Sequence, residues 1–526
     1  MDYLFPAGVR QGAENVVITV GGKFDQWPVK VWTNAADGWL RFVPSADEKK
    51  KGELTVSVAA ECVPGAYLVR LYSEEGVSAP CIFVVGSLPE ELEVEPNGTF
   101  QDAQEISGEP VVRVINGQLE KNEDVDCFAV ELGEGQALVA DVAAYVLDSP
   151  VDSLLHVRGP QGYRMAFNHD APGSLLDPRL VFSAPVAGRY VLELAGFAYP
   201  PRADVRFTGS AATRYRLTLS KGVPLVTHTL PLAVERGSTR TIQVQLTDET
   251  SIAHELTVPA TWASDVMPVD VPKCPVPVAI LISDVGEYEE PVESLVIPSG
   301  VTGRIGVAGE VDRYPIKATK DVAYVFKVEA AAVGSALDPV VAIEDGAGKE
   351  LASNDDVAHR FDPELVWKAP ADGEFAVTVR SRFRKQSGAE FFYRLDSRIA
   401  KPEVNITAAT DALVLKPGEK AELALTITRH HGYASAMTLA AEGLPEGIHI
   451  SPTEIPADAK GEWKLTIEST EENAEPDCLP FQLRFRESGS EQPFTTIEHP
   501  IKGTNADAGE LLVNATPDLW LTLSKK

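Results

Sequence analysis

Hydrophobic and polar residues alternate along most of this chain. VVITV (16–20), ELTVSVA (53–59), YLVRLY (67–72), YVLEL (190–194), RTIQVQL (240–246), FAVTV (375–379), AELALTI (421–427) and WKLTI (463–467) place apolar side chains at every second position. That period belongs to a strand with one buried face. The 40 Gly and 38 Pro punctuate these runs at short intervals, and no long pattern at helical spacing breaks the series. The sequence therefore predicts an all-β chain of tandem β-sandwich domains.

A second pattern is a duplication. Gly117, Asp126, Ser149, Asp152, Gly162, Asn168 and Asp170 recur, at one constant offset, as Gly303, Asp312, Ser335, Asp338, Gly348, Asn354 and Asp356. One residue is then lost: Asp177-Pro178, Ala184-Pro185 and Gly188 meet Asp362-Pro363, Ala369-Pro370 and Gly373. Tyr215-Arg216-Leu217 meets Tyr393-Arg394-Leu395 after a further shortening. Turn-forming residues repeated in order specify a repeated fold. Acidic or proline-rich stretches separate the strand runs, and they divide the chain into 1–88, 89–222, 223–284, 285–400 and 401–526.

A chain of 526 residues exceeds what one core supports, which agrees with several domains. The excess of 77 Asp and Glu over 47 Lys and Arg gives a net charge of −30 and argues against a nucleic-acid partner. No run of apolar residues is long enough for a membrane span. The start, MDYLFPAGVRQG, lacks the basic and apolar regions of a signal peptide. The five cysteines are sparse, and Cys62 and Cys81, which flank one hairpin, are open to two readings: a disulfide in an oxidising compartment, or two buried thiols.

Residues 93–219 carry EVEPN, NGQL, EDVDCF, SPVDSLL, a turn with Asn168 and Asp170, LDPRLVFSAPVAGRY and YRLTL; residues 303–396 carry GEVDRY, GSALDPVV, GAGKELASNDD, FDPELVWKAPADGEF and FYRL. Both resemble the bacterial pre-peptidase C-terminal domain, which implies two jelly-roll-like sandwiches of a kind appended to secreted enzymes or surface proteins and not themselves peptidases. Residues 6–85, with PAGVRQGAENVVITVGGKF and PGAYLVRLY, look like an IPT/TIG-type immunoglobulin-like module. The stretch from Val404, with LKPGEKAELALTI and GLPEGIHISPTEIP, looks like another immunoglobulin-like domain. Modules in this order are similar to exported proteins of the planctomycete type. That similarity implies a secreted, cell-surface or periplasmic chain whose signal peptide has been removed.

The sharpest candidate site is acidic. Glu93, Glu95 and Asn97 place alternate oxygen-bearing side chains on one side of a linker strand, and a following loop offers Asp124 and Asp126. Five oxygen side chains with a carbonyl or water make a calcium shell. The resemblance implies the same, because collagen-binding members of the family hold calcium at the corresponding linker and loop; Gly98 departs from them, where another oxygen ligand is usual. The competing reading has Asp126 capping a turn and the glutamates solvated. In the second copy Glu310 and Asp312 stand at the positions of Asp124 and Asp126, but Glu287, Glu289 and Glu290 lie out of register and no Asn is present, so calcium is expected less there. Asn168-His169-Asp170 and Asn354-Asp355-Asp356 read as turns before they read as metal sites.

For catalysis the chain offers no GxSxG, phosphate loop, HExxH or plausible Cys–His context, and the expectation is a protein that is not an enzyme. Between Leu194 and Tyr215 the first copy inserts a long hairpin with Phe197, Tyr199 and Phe207. These either recognise a sugar or peptide surface or fold back over the sandwich. The reading that results is a non-catalytic exported protein that binds an extracellular polysaccharide or protein, with calcium at one joint. The alternatives are a secreted hydrolase or an accessory region of one, and a structural spacer.

Overall fold

The computed structural model describes the chain apart from residues 109–110, 173–175, 204–205, 358–360, 470–476, 504–508 and 525–526. Strands and short 3-10 turns are the regular elements of the described residues, and the chain is a series of tandem β-sandwiches. Five hydrophobic cores each draw on one stretch of sequence: Leu4–Val85, Ile106–Leu219, Val234–Ile282, Leu295–Leu395 and Ile406–Leu523. Alternation is the cause. Glu53–Val58, for instance, buries every second residue and sends the others outward.

The two repeats share one topology with one difference. In the first, one sheet runs in the order Glu90–Leu92, Val111–Gln118, Arg214–Lys221, Ala137–Ala143 and Arg179–Ser183. The other runs Gln104–Glu105, Asp126–Leu132, Gly188–Ala198, Val151–Arg158 and Arg164–Asn168. In the second repeat the first sheet again has five strands, but the facing sheet has four: Val311–Ala318, Gly373–Ser381, Pro339–Asp345 and Glu350–Asn354. The strand without a counterpart is Gln104–Glu105. It belongs to an excursion after Glu93 that lays Phe100 and Ala103 over Cys127, Ala129 and Val191, with Val125 beside them. This covering explains why Asp126–Leu132 is buried on both faces while its counterpart Val311–Ala318 alternates with exposed residues.

Each linker runs parallel to the first long strand of its repeat and is pinned by a buried arginine. Arg216 donates through Nη1 and Nη2 to the Glu90 carboxylate at 2.9 and 2.8 Å. Arg394 reaches Glu287 at 2.6 Å and Glu329 at 2.8 Å. The repeated aspartates cap chain turns. Asp177 accepts from Tyr145 and Val146 amides, and Asp362 from those of Ala330, Ala331 and Ala332. Cys62 and Cys81 are free thiols within one core.

The C-terminal sandwich folds back onto the beginning of the chain. Arg70, 1% exposed, pairs with Asp411, and Trp520 packs against Trp32 and Tyr72. Ala7, Leu68, Tyr145, Tyr199 and Leu511 share one further apolar cluster there. Among the described residues no helix is long and apolar enough to cross a membrane.

Candidate functional site: an acidic cluster at the first linker

The linker places Glu93 by backbone pairing. Its N–H donates to Asn116 O at 3.1 Å, and its Oε1 accepts from the Gln118 amide at 2.6 Å. Oε2 turns inward, where the Tyr215 hydroxyl lies 2.8 Å away; the same hydroxyl lies 2.7 Å from Asp126 Oδ2. Tyr215 has one proton to give, so one of its two carboxylate contacts needs a positive charge from elsewhere: a proton on a carboxyl or a bound cation. Glu95 joins the pair. Glu93, Glu95 and Asp126 each bring a carboxylate oxygen within 4.8 Å of the others.

Asn97 gives the cluster its most telling feature. Its carbonyl accepts from the Cys127 amide at 3.1 Å, and its own amide donates to Glu95 Oε2 at 3.0 Å. The residue is wholly buried, yet neither its Oδ1 nor its Nδ2 has a hydrogen-bond partner, and Asp126 Oδ1 is likewise unpartnered. Buried polar atoms of this kind cost about 1–3 kcal/mol each when left unsatisfied. Burial raises the pKa of both Glu93 and Asp126, and at Asp126 the neighbouring Glu93 charge raises it further. The pair resists carrying two charges unless something positive lies between them.

Of the five residues expected to converge, Asp124 does not. Its Oδ2 accepts from the Glu120 amide at 2.7 Å, and its Oδ1 stands 3.9 Å from Lys121 Nζ. A carboxylate that closes its own loop is satisfied locally and turns away from the cluster. Glu310, its counterpart, does the same by accepting from the Gly306 and Val307 amides at 2.5 and 2.9 Å. Asp312 stays at the site. Its true companion is Glu290, because Glu290 N–H donates to Thr302 O and its Oε1 accepts from Arg304 N, the pattern Glu93 makes with Asn116 and Gln118. The linker is thus in register, contrary to expectation, and the offset differs because the excursion with Glu95 and Asn97 is absent.

Tyr314 takes the place of Phe128 in the second copy. Its hydroxyl lies 3.2 Å from Glu290 Oε2 and 2.6 Å from Tyr393 Oη, which in turn lies 2.6 Å from Asp312 Oδ2. Two hydroxyl protons serve three contacts, so a single added proton on one carboxyl completes the chain. Burial raises Glu290 and pushes Asp312 up to about 7. The second cluster is thereby closed by hydroxyls, and it holds no unpartnered amide.

The hairpin aromatics fold back. Tyr199 is 9% exposed and packs on Tyr145 between sandwiches, which is the folded-back one of the two readings the sequence left open. Phe197 and Phe207 pack on each other, both half-buried, and His169 meets Phe197 edge-on. His169 Nε2 also stands 2.9 Å from Asp152 Oδ1. Asn168 Nδ2 reaches Asp170 O, and Arg179 N–H donates to Asn168 Oδ1, which is turn architecture.

No family model matches the chain, and no curated protein matches it. Among solved structures, domains 1–6 of the surface layer protein SbsC show 11% identity over 75% of this chain and 53% of that one, with a TM-score of 0.16. Salmonella alpha-2-macroglobulin reacted with methylamine shows 9% identity over 99% and 46%, also at 0.16. The N-terminal four Ig domains of Dscam1 isoform 4.4 show 9% over 98% and 96%, at 0.20. The chain spans about half the length of the first two. At these values the likeness carries no argument about function.

Proposed function

We propose that this chain is a non-catalytic, exported protein of five modules, 1–88, 89–222, 223–284, 285–400 and 401–526, that binds an extracellular polysaccharide or a cell-surface protein. In this reading the two repeats are pre-peptidase C-terminal-like sandwiches, and a calcium ion locks the linker to the first. One observation carries the calcium: a fully buried Asn97 with both amide atoms unpartnered, beside three converging carboxylates. Glu93, Glu95, Asp126 and Asn97 Oδ1 supply hard oxygens, and a water or carbonyl completes a shell of the size calcium takes. The ion would offset the crowded negative charge and tie the excursion to the sandwich, an effect on joint rigidity and stability.

The non-catalytic reading is supported by what the acidic groups do. Asp124, Glu310, Asp177 and Asp362 close loops and cap turns, which gives these carboxylates a structural occupation. The competing use of the first cluster is a stored proton, since Tyr215 touches two carboxylates with one hydrogen. Thermal unfolding of the whole chain with calcium and with chelator separates the two. A calcium-dependent rise that Asp126→Ala abolishes is expected. No shift in the parent protein would leave the proton as the occupant and remove calcium from the account.

A further inference from the structure

The excursion that supplies Glu95 and Asn97 also builds a wall. Its Phe100 and Gln101 face the hairpin tip Pro160–Gly162 across a cleft of about 510 Å³ floored by Arg158 and Glu193. Arg158 Nε donates to Glu193 Oε1 at 2.5 Å and its Nη1 to Gly162 O at 3.1 Å, so the floor pins the tip and keeps Nη2 for a ligand. Arg189 fixes the opposite wall by donating to Phe100 O at 3.0 Å and to Glu105 at 2.8 Å, with its guanidinium over the Phe100 ring. The cleft is mostly polar, and its volume lies in the range of small-ligand sites.

We infer that this cleft binds a neutral saccharide unit, and the inference rests on the extracellular-binding reading above. A guanidinium beside a carboxylate offers a donor and an acceptor side by side, which matches neighbouring hydroxyls that each donate and accept. The floor charges cancel, so nothing selects a charged ligand. Gln101 and Gln161 add amides on both walls, and Phe100, held under Arg189, borders the cleft. The second repeat lacks all of this: Glu344 and Thr378 replace Arg158 and Glu193, Glu344 pairs with Arg313, and the wall with Phe100 has no counterpart. The cleft and the cation cluster share one piece of chain, so calcium would steady the wall that the saccharide meets.

Native-gel retardation of the full chain in gels containing cellulose derivatives, xylan, mannan or glucan tests this, with an acidic polysaccharide as control. Retardation by at least one neutral polymer is expected, weakened about tenfold by Glu193→Gln, the loss of one charge-assisted hydrogen bond. Gln161→Ala, an exposed change that leaves the fold intact, weakens it less. Chelator weakens binding in the parent as well. Retardation by none of the neutral polymers, or retardation that Glu193→Gln leaves unchanged, overturns the inference. A calcium-dependent thermal shift without retardation would sink the cleft and spare the joint; retardation indifferent to chelator would spare the cleft and overturn its coupling to the cation.

Discussion

The two repeats begin from the same plan and resolve the same difficulty in different ways. Each brings a linker glutamate, a strand aspartate and a buried tyrosine together: Glu93, Asp126 and Tyr215 in one, Glu290, Asp312 and Tyr393 in the other. Each set has fewer protons than contacts. The second repeat inserts a hydroxyl at Tyr314 and needs one more proton. The first keeps Phe128, adds Glu95 and Asn97 from its excursion, and leaves polar atoms unpartnered in a dry place. A further carboxylate and an amide oxygen added beside two carboxylates, with no counter-charge, make a setting suited to a cation. The difference teaches that duplication preserved the joint while its counter-charge diverged.

The shared part breaks hardest. Arg216→Ala and Arg394→Ala each strand a buried glutamate, Glu90 or Glu287, whose side chain is less than a tenth exposed. Each substitution is expected to cost about 3–5 kcal/mol, read by chemical denaturation, and near-equal losses would confirm that this pin is common to both copies. Tyr314→Phe comes next. It removes the bridging hydroxyl and costs about 1–3 kcal/mol, because Glu290 and Tyr393 lose a buried partner; the reverse graft, Phe128→Tyr, should erase the calcium-dependent thermal shift.

A subtler break is Asn97→Ala, whose effect changes sign with calcium. Without the ion an unpartnered buried amide stabilises nothing, so its removal is neutral or stabilising by up to about 1 kcal/mol; with the ion the substitution destabilises. Destabilisation of the same size under both conditions contradicts the cation. The last effect is on pH, and solvent screens it because Asp312 is only half-buried. Burial raises the folded Asp312 carboxyl from 3.8 to about 7, so the folded state holds its proton more tightly than the unfolded chain. That stabilisation is complete below about pH 4 and fades as pH rises through about 7. Asp312→Asn should flatten this part of the stability profile.

Much of this was legible in the sequence. Alternation gave the strands, and repeated Gly, Asp and Pro gave the turns, because both are local consequences of backbone geometry. Glu93, Glu95, Asn97 and Asp126 were identified by residue type and spacing, and the fold brings the three carboxylates together with Asn97 alongside. Asp124 and Glu310 were misjudged because a carboxylate that closes its own loop looks in sequence like one that points outward. Glu290 stayed hidden because the chain takes eight fewer residues from Glu290 to Leu295 than from Glu93 to Ile106, which shifts the apparent register. Tyr215 and Tyr393 stood in a matched triplet, and the Phe128 and Tyr314 exchange lay in plain view at the repeat offset. Nothing local marks an inward aromatic as part of a polar cluster, since that depends on strands distant in sequence meeting across a sandwich.

Hydrogen exchange of the full chain, followed by mass spectrometry with calcium and with chelator, tests the central claim most directly. Calcium should slow exchange in the segment from Glu93 to Ile106 and at the start of Asp126–Leu132, and leave Glu287 to Leu295 and Val311–Ala318 unchanged. Equal protection of both linkers, or none at the first, would contradict the account.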